Sequence, residues 1–304
     1  MTKKSSFIVA LALGSILPLS AAPKHRLLFF TKSSGFEHSV ISWKHGKPSL
    51  AEKVFTELGN KNDWEFVFSK DGSKFSPEYL AGFDAVIFYT TGNLLTAGAD
   101  KQPPMTAAGK QALFDYVKGG KGFIGLHCAS DTFHTPNEEK AGPERYVNQG
   151  DKADPYIRFL GGEFIMHGAQ QPATNEVVDK TFPGFTTTGD KFTLTEEWYS
   201  LKDFTPDIHV ITVIDAANMK GFPYNRPSYP TTWARMAGKG RVFYTAMGHR
   251  DDVWNSPFYQ GVLVGAIRWV TGDVKADVTP NLKTAAPKAM TNPPFPWAKK
   301  KQAK

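Results

Sequence analysis

Residues 122–129 read GFIGLHCA, and this stretch decides the fold. Its first five residues form an apolar run with two glycines, which is typical of a strand buried on both faces of a parallel sheet. His127 follows, with Gly125 two residues before it and Ala129 two residues after it. Small residues at these positions are typical of a sharp turn that presents a functional side chain at the end of a strand. The alternative is that His127 merely ends a strand and Cys128 is a small buried side chain.

Apolar segments alternate with helical patterns on both sides of this stretch. Strand-like runs are found at 26–31, 64–69, 83–90 and 241–247. Helical spacing of apolar residues is found at 47–58, 106–118 and 256–270. This alternation predicts one α/β domain with a mostly parallel sheet and helices on both faces. Extended segments near 163–167, 174–178, 191–199, 208–215 and 231–236 predict an antiparallel extension, and the polar stretch 132–154 predicts a surface insertion.

The two ends of the chain differ from the body, residues 23–273. Residues 1–22 carry two lysines, an apolar run and a small-residue end, which is typical of a signal peptide cleaved after Ala22. Because of this signal peptide we expect a periplasmic or secreted protein. The alternative is that the segment is a membrane anchor. Residues 274–304 are rich in proline, alanine and lysine and predict a flexible tail.

Charge and cysteine content exclude several classes of protein. The formal net charge is +7, of which the first 22 residues carry +2 and residues 274–304 carry +6, so the body carries −1. A near-neutral body is not typical of nucleic-acid binding. After signal cleavage no apolar stretch is long enough to insert stably in a membrane. Cys128 is the single cysteine, which excludes an intramolecular disulfide and a multi-cysteine zinc site.

Four histidines are predicted to lie at one edge of the sheet, because each follows one of its strands and ligands bind beyond the carboxyl ends of parallel strands. They are His38, His127, His167 and His249. The pair Glu196-Glu197 ends another strand, and alternation alone does not settle which carboxylate faces a site. Such a glutamate is a candidate general base or metal ligand, or simply a solvated strand end.

Several motifs in this order resemble the ThuA-like family of trehalose utilisation. They are GLHCASDTF (125–133), LGGEF (160–164) with His167, EEWY (196–199), Pro230 with Trp233, and GKGRVFY (238–244) with Gly248-His249. The resemblance covers residues 26–272. It implies a flavodoxin-like fold of the class I glutamine amidotransferase-like superfamily. His127 stands where amidotransferases have cysteine, so we do not expect a glutamine amidotransferase.

The resemblance also implies a small-molecule carbohydrate substrate, a disaccharide or keto-sugar, and a site built from His38, His127, His167, Glu197 and His249. We assign catalysis to Glu197, His249 and His127, with Glu197 and His249 as the acid–base pair. Imidazoles with one carboxylate suit a zinc-like divalent cation, for which His127, His167 and His249 are the candidate ligands. Otherwise we expect no cofactor, and in particular no nucleotide. The candidate substrate-binding residues are His38, Asp131, Tyr199, Trp233 and Arg250.

Three functions remain open at this point. The first is an exported carbohydrate-active enzyme, either a hydrolase, a lyase or an isomerase. The second is a non-catalytic protein that binds a sugar or glycan in the same pocket. The third, an amidase or protease that uses Cys128, is disfavoured because Cys128 is displaced by one residue from the exposed position of the turn.

Overall fold

The computed structural model describes residues 23–44, 46–136 and 142–296. Within them the strands are β1 (His25–Phe30), β2 (Trp64–Ser69), β3 (Ala85–Phe88), β4 (Gly122–Leu126), β5 (Glu163–His167), β6 (Gln171–Val177), β7 (Lys191–Glu196), β8 (Tyr199–Lys202), β9 (His209–Ile214), β10 (Tyr229–Ala237) and β11 (Gly240–Thr245). The helices are α1 (Leu50–Asn62), α2 (Pro77–Ala81), α3 (Ala107–Lys118), α4 (Pro155–Leu160), α5 (Asp251–Trp254), α6 (Pro257–Thr271) and α7 (Leu282–Ala285). The predicted signal peptide, residues 1–22, lies outside the described residues.

Nine strands form one sheet in the order β2-β1-β3-β4-β11-β10-β9-β6-β7. The first five run parallel, and the last four add antiparallel neighbours. The parallel half has the strand order of flavodoxin-like folds. This confirms the predicted α/β fold with its antiparallel extension. β5 and β8 pair separately as a two-stranded antiparallel sheet.

Consecutive residues of β1 show that both faces of the sheet are covered. Phe29 packs against Phe55 of α1 and Trp254 of α5, with ring centroids 4.7 and 6.5 Å away. Phe30 points to the opposite face and contacts Phe75, with centroids 4.6 Å apart. All these rings are buried. Burial of each such side chain contributes about 1.5–3 kcal/mol, so this layer fixes the sheet on which the loops of the site stand.

Helix α3 shows how local sequence sets the element bounds. The Thr106 side chain accepts the backbone N–H of Gly109 and caps the helix start, and Gly119 ends it, as predicted. None of the described helices has the length and apolar character needed to cross a bilayer.

Residues 279–295 pack against the body, which corrects the predicted flexible tail for this part of the chain. The ring Nδ1 of His209 lies 2.7 Å from the carbonyl oxygen of Thr279. Arg226 donates to the carbonyl of Ala289 over 2.6 Å. Three apolar side chains of this segment are also buried, namely Leu282, Ala286 and Ala289. The composition hides this packing because it rests on scattered alanines and backbone carbonyls. Residues 297–304 lie outside the described residues.

Candidate functional site

The loops after three parallel strands bring three imidazoles together at one edge of the sheet. His38 follows β1, His127 follows β4 and His249 follows β11. The ring centroids of each pair lie 5.2 Å apart. Glu197, between β7 and β8, joins them, and one ligand atom from each of the four residues lies within 4.8 Å of the others. We refer to these four residues as the His–Glu cluster.

A sharp turn places His127 in this cluster. Its φ of 42° lies in the left-handed region, where a residue other than glycine is strained. A Cβ at Gly125 would stand 2.8 Å from Leu160 and 3.2 Å from Ala129. The crowding explains the small residue on each side of His127. The predicted turn is therefore present, with the His127 side chain buried at its apex.

The carboxylate of Glu197 is surrounded by imidazoles. Its Oε2 lies 3.0 Å from Nδ1 of His249 and 3.6 Å from Nε2 of His127. Its Oε1 lies 3.4 Å from Nδ1 of His167. Burial by itself would raise the pKa of Glu197, but the close His127 and His249 imidazoles outweigh burial and hold that pKa well below its usual range. Glu197 is therefore ionised at neutral pH.

The ring nitrogens of the three imidazoles differ in their partners. The Nδ1 of His127 lies 2.9 Å from the carbonyl oxygen of Ala246, which can only accept, so Nδ1–H donates and Nε2 is the nitrogen that faces Glu197. Among the described residues, Nδ1 of His38 is buried without a hydrogen-bond partner, and Nε2 of His127 and Nδ1 of His249 face the Glu197 carboxylate outside hydrogen-bond geometry. Burial, followed by the neighbouring imidazoles, lowers the pKa of His38 well below its usual value, which favours a neutral ring.

Tyr199 forms a wall of the cluster. Its ring centroid lies 4.2 Å from that of His127, and its hydroxyl lies 3.5 Å from Nε2 of His38. The side chain is 3% exposed. Tyr199 thus reaches the predicted site but offers little free surface to a substrate.

Glu196, which the sequence analysis left undivided from Glu197, holds the loop beside the cluster. It is fully buried, and its carboxylate accepts the backbone N–H groups of Gly248 and His249 at 3.2 and 3.0 Å. Burial raises the pKa of Glu196 above its usual value. Glu196 fixes the loop that carries His249, while Glu197 enters the cluster. The acidic pair was the available signal, but alternation could not divide these roles.

The comparison with known families decides which proteins this chain is related to. The family model described as trehalose utilisation, ThuA, matches residues 26–270. The chain belongs to the ThuA family. This confirms the resemblance seen in the motifs. A search of curated proteins finds no match.

Solved structures support the fold of this ThuA-family chain. A ThuA-like protein from Bacteroides uniformis is 22% identical, with a TM-score of 0.61 over 84% of this chain and 95% of the other. A ThuA-like protein from Parabacteroides merdae is 18% identical, with a TM-score of 0.53 over 89% of this chain and 97% of the other. At these identities the likeness shows the fold alone.

His167 and Arg250 lie at the outer side of the site in the ThuA-family chain. The His167 side chain is 43% exposed, and its Nδ1 lies 2.9 Å from the carbonyl oxygen of Gly168. Arg250 pairs with Asp252 and donates to Gln170. His167 thus touches Glu197 from outside the four-residue cluster, although the sequence analysis named it as a metal ligand.

Asp131 belongs to a second polar network. Its Oδ1 lies 2.5 Å from Nε2 of His134 and accepts from Arg145 at 3.1 Å. The Nδ1 of His134 lies 2.9 Å from Glu163. The network ties the predicted insertion to β5. Asp131 is predicted to bind substrate, but its Oδ1 is occupied by these partners.

Trp233 lies in the core, which corrects its prediction as a substrate-binding residue. It is fully buried, its Nε1–H donates to the carbonyl of Leu160 at 2.8 Å, and its ring packs on Tyr244. No face of this ring is free for a sugar. Cys128 is also fully buried, and burial raises the pKa of its thiol, so a thiolate nucleophile is disfavoured.

Proposed function

We propose that this ThuA-family protein is an enzyme that acts on a carbohydrate at the His–Glu cluster, with a divalent cation held there. Membership of the trehalose-utilisation family gives a carbohydrate-related role. The proposed substrate class is a disaccharide or its keto-sugar derivative. The observation that carries the proposal is the convergence of three imidazoles and one ionised carboxylate from four separate loops.

The donor set fits a zinc-like cation. In the described residues, Nδ1 of His38 is buried without a hydrogen-bond partner, and Nε2 of His127 and Nδ1 of His249 face the Glu197 carboxylate outside hydrogen-bond geometry, which is costly unless a ligand meets them. The His127 ring is also oriented by a backbone carbonyl on its other nitrogen, as metal-bound histidines usually are. The ligands would be His38, His127, His249 and Glu197. Four protein ligands fill the usual shell of zinc, so the cation would polarise a carbonyl or water oxygen by accepting it as a fifth ligand.

This arrangement changes the proposed roles of Glu197 and His167. Glu197 directs Oε2 among the cluster imidazoles, and an ionised carboxylate held so firmly suits a ligand better than a base. His167 contacts Oε1 of the same carboxylate and is partly exposed. We therefore propose that His167 exchanges a proton with the substrate, since imidazole is the commonest general acid or base.

The environment of Glu196 argues against the mechanism of a two-carboxylate glycosidase. Such enzymes need a second carboxyl group that is free to act on the sugar. The neighbouring carboxylate of Glu196 is buried and accepts two backbone N–H groups, so it does not supply that group. Proton abstraction beside a sugar carbonyl requires one base and one electrophile, and it agrees better with the cluster.

Metal analysis of the untagged protein tests the first half of the proposal. We expect about one zinc or similar ion per chain in the wild type, and loss of that ion in His127→Ala and Glu197→Gln. His25→Ala, at the opposite end of β1 from the His38 loop, is the matched control and should keep the ion. A wild type that binds no divalent ion after incubation with zinc would contradict the metal assignment.

Turnover assays test the second half of the proposal, which is that the protein converts a carbohydrate. Trehalose and a keto-disaccharide made from it by oxidation of one ring hydroxyl are incubated with the wild type and the same variants. We expect conversion by the wild type and the control alone. Binding of the sugar without conversion in any protein would favour the alternative of a non-catalytic sugar-binding protein.

A further inference from the structure

Phe36 stands beside the His–Glu cluster with its ring in solvent. Its 68% exposure is the highest among the large apolar side chains of the described residues. Its ring meets that of His38 edge to face, with centroids 5.1 Å apart and an interplanar angle of 88°. His38 itself is only 3% exposed. An exposed aromatic ring thus abuts a buried member of the site.

The loop that carries Phe36 is anchored on both sides. Before it, the backbone N–H of Gly35 donates to the carbonyl of Thr91 at 3.1 Å. The hydroxyl of Thr91 donates to the carbonyl of Phe36 itself at 2.8 Å. After it, Glu37 pairs at 2.8 Å with Lys70, whose side chain is 2% exposed. The backbone is therefore held in place, and the ring is presented to solvent by a fixed support.

The other aromatic rings near the cluster are buried or already contacted by a cation. Tyr89 and Tyr199 contact His127, but they are 0% and 3% exposed. Trp254, behind Tyr89, is fully buried. Trp43, on the same loop as Phe36, is 44% exposed, but the Lys70 ammonium lies 5.2 Å from its ring centroid. Phe36 is the aromatic side chain beside the cluster that leaves most of its surface open.

We propose that Phe36 is a stacking platform for a pyranose ring of the substrate. The inference rests on the proposed function, and it names which part of a carbohydrate the site recognises. One face of a pyranose presents mainly C–H groups, and an aromatic face covers them well, whereas the hydroxyl groups at the ring edge remain free for polar partners. Contact with Phe36 would place such a ring directly beside His38.

The surroundings of Phe36 favour a small ligand over a protein partner. Its sequence neighbour Glu37 is charged and lies in an ion pair with Lys70. A stable protein interface needs a wide contiguous surface, usually with an apolar centre, and a single ring next to a salt bridge does not provide one. A sugar ring matches both the size of one aromatic side chain and its mixed polar surroundings.

Steady-state kinetics on the keto-disaccharide tests the inference. We expect Phe36→Ala and Phe36→Leu to raise KM about three- to tenfold, because an aromatic contact of this kind contributes about that factor, with kcat within about twofold of wild type. Phe36→Tyr and Phe36→Trp, which keep an aromatic ring, should keep KM close to the wild-type value. Phe222→Ala, the same change at another exposed phenylalanine, is the matched control and should leave KM unchanged.

Calorimetric titration with trehalose and with a linear hexitol separates stacking from hydroxyl recognition. Phe36→Ala should weaken binding of the ring sugar and leave that of the linear hexitol unchanged. An unchanged KM and trehalose affinity in Phe36→Ala, with an active wild type, would overturn the inference alone. An altered oligomeric state with unaltered sugar affinity would also overturn it. A wild type that neither binds nor converts any of these sugars would overturn the proposed function itself.

Discussion

The backbone N–H of His249 donates to Oε1 of Glu196 over 3.0 Å, so the end of β7 and the loop after β11 are joined directly. Oε2 of the same carboxylate accepts the N–H of Gly248 at 3.2 Å. The residue after Glu196 is a member of the cluster, and so is His249. One buried carboxylate therefore sets the relative position of two candidate ligands.

Replacement of Glu196 tests this positioning role. In Glu196→Gln one oxygen can still accept, but the amide NH₂ would face a backbone N–H and leave it unpaired. We expect zinc affinity to fall about 10- to 100-fold, as for other residues that orient metal ligands, and the free energy of unfolding to fall by about 1–3 kcal/mol. The measurement is competitive zinc titration together with urea unfolding. A loss of stability with unchanged zinc affinity would show a merely structural role.

The sequence predicted the cluster histidines for a physical reason. The carboxyl ends of parallel strands meet at one edge, so His127 and His249, which follow neighbouring strands, had to lie close together. Glu197 could not be oriented, because β7 ends at Glu196 and strand alternation stops there. The core position of Trp233 was missed because sequence does not distinguish a buried tryptophan from a sugar-stacking one.

We expect replacement of His38 and replacement of His167 to have different effects on metal content and turnover. The cluster geometry includes His38 and leaves His167 outside, in contact with Glu197 only through Oε1. We expect His38→Ala to lose the cation, and His167→Ala to keep it while turnover falls about 100-fold or more, as for loss of a general acid or base. Metal content and kcat of the two variants check this. Loss of the cation in His167→Ala with retention in His38→Ala would contradict the assignment.

The buried network around His134 predicts a pH-dependent stability. Its ring lies between Asp131 and Glu163, with Arg145 also in contact. Burial lowers the pKa of His134, but the hydrogen bonds to the two carboxylates outweigh it and raise that pKa above 6.5. A raised folded-state pKa stabilises the fold fully below about pH 6.5, and this contribution is lost as pH rises through the folded-state value.

Urea unfolding of the wild type and His134→Gln between about pH 5.5 and about pH 9 measures this effect. At the lower pH we expect the free energy of unfolding of the wild type to exceed that of His134→Gln by about 1–3 kcal/mol. This difference between the two proteins should shrink as pH rises. Glu163→Gln removes one carboxylate partner and should reduce the same dependence. A stability difference that grows with pH would contradict the prediction.

The first 22 residues give a prediction that is independent of the site. We expect export with cleavage after Ala22, so that the mature chain begins at Pro23. Intact mass of the protein from the periplasmic fraction or the medium of an expressing bacterium checks the cleavage position. Ala22→Leu places a large side chain at the cleavage site and should leave the precursor uncleaved. An uncleaved wild type in the cytoplasm would contradict the expectation.

The hydrogen bonds of Arg226 indicate how residues 279–295 are attached to the body. Its guanidinium is buried and donates to the hydroxyl of Ser200 and to the carbonyls of Leu201 and Ala289. Burial lowers the pKa of Arg226 to about 10, so the side chain is still charged at neutral pH. It is therefore a cation held largely by backbone oxygens, and one of them belongs to the C-terminal segment.

Arg226→Met should leave the carbonyls of Leu201 and Ala289 buried without this donor. Each unpaired group costs about 1–3 kcal/mol, so we expect a lower free energy of unfolding and faster amide hydrogen exchange over residues 279–295. Arg268→Met, at an exposed arginine that donates to Asn62 at 3.0 Å, is the matched control and should change stability by less than about 0.5 kcal/mol. Unchanged exchange in the C-terminal segment of Arg226→Met would show that its apolar contacts hold the segment without the arginine.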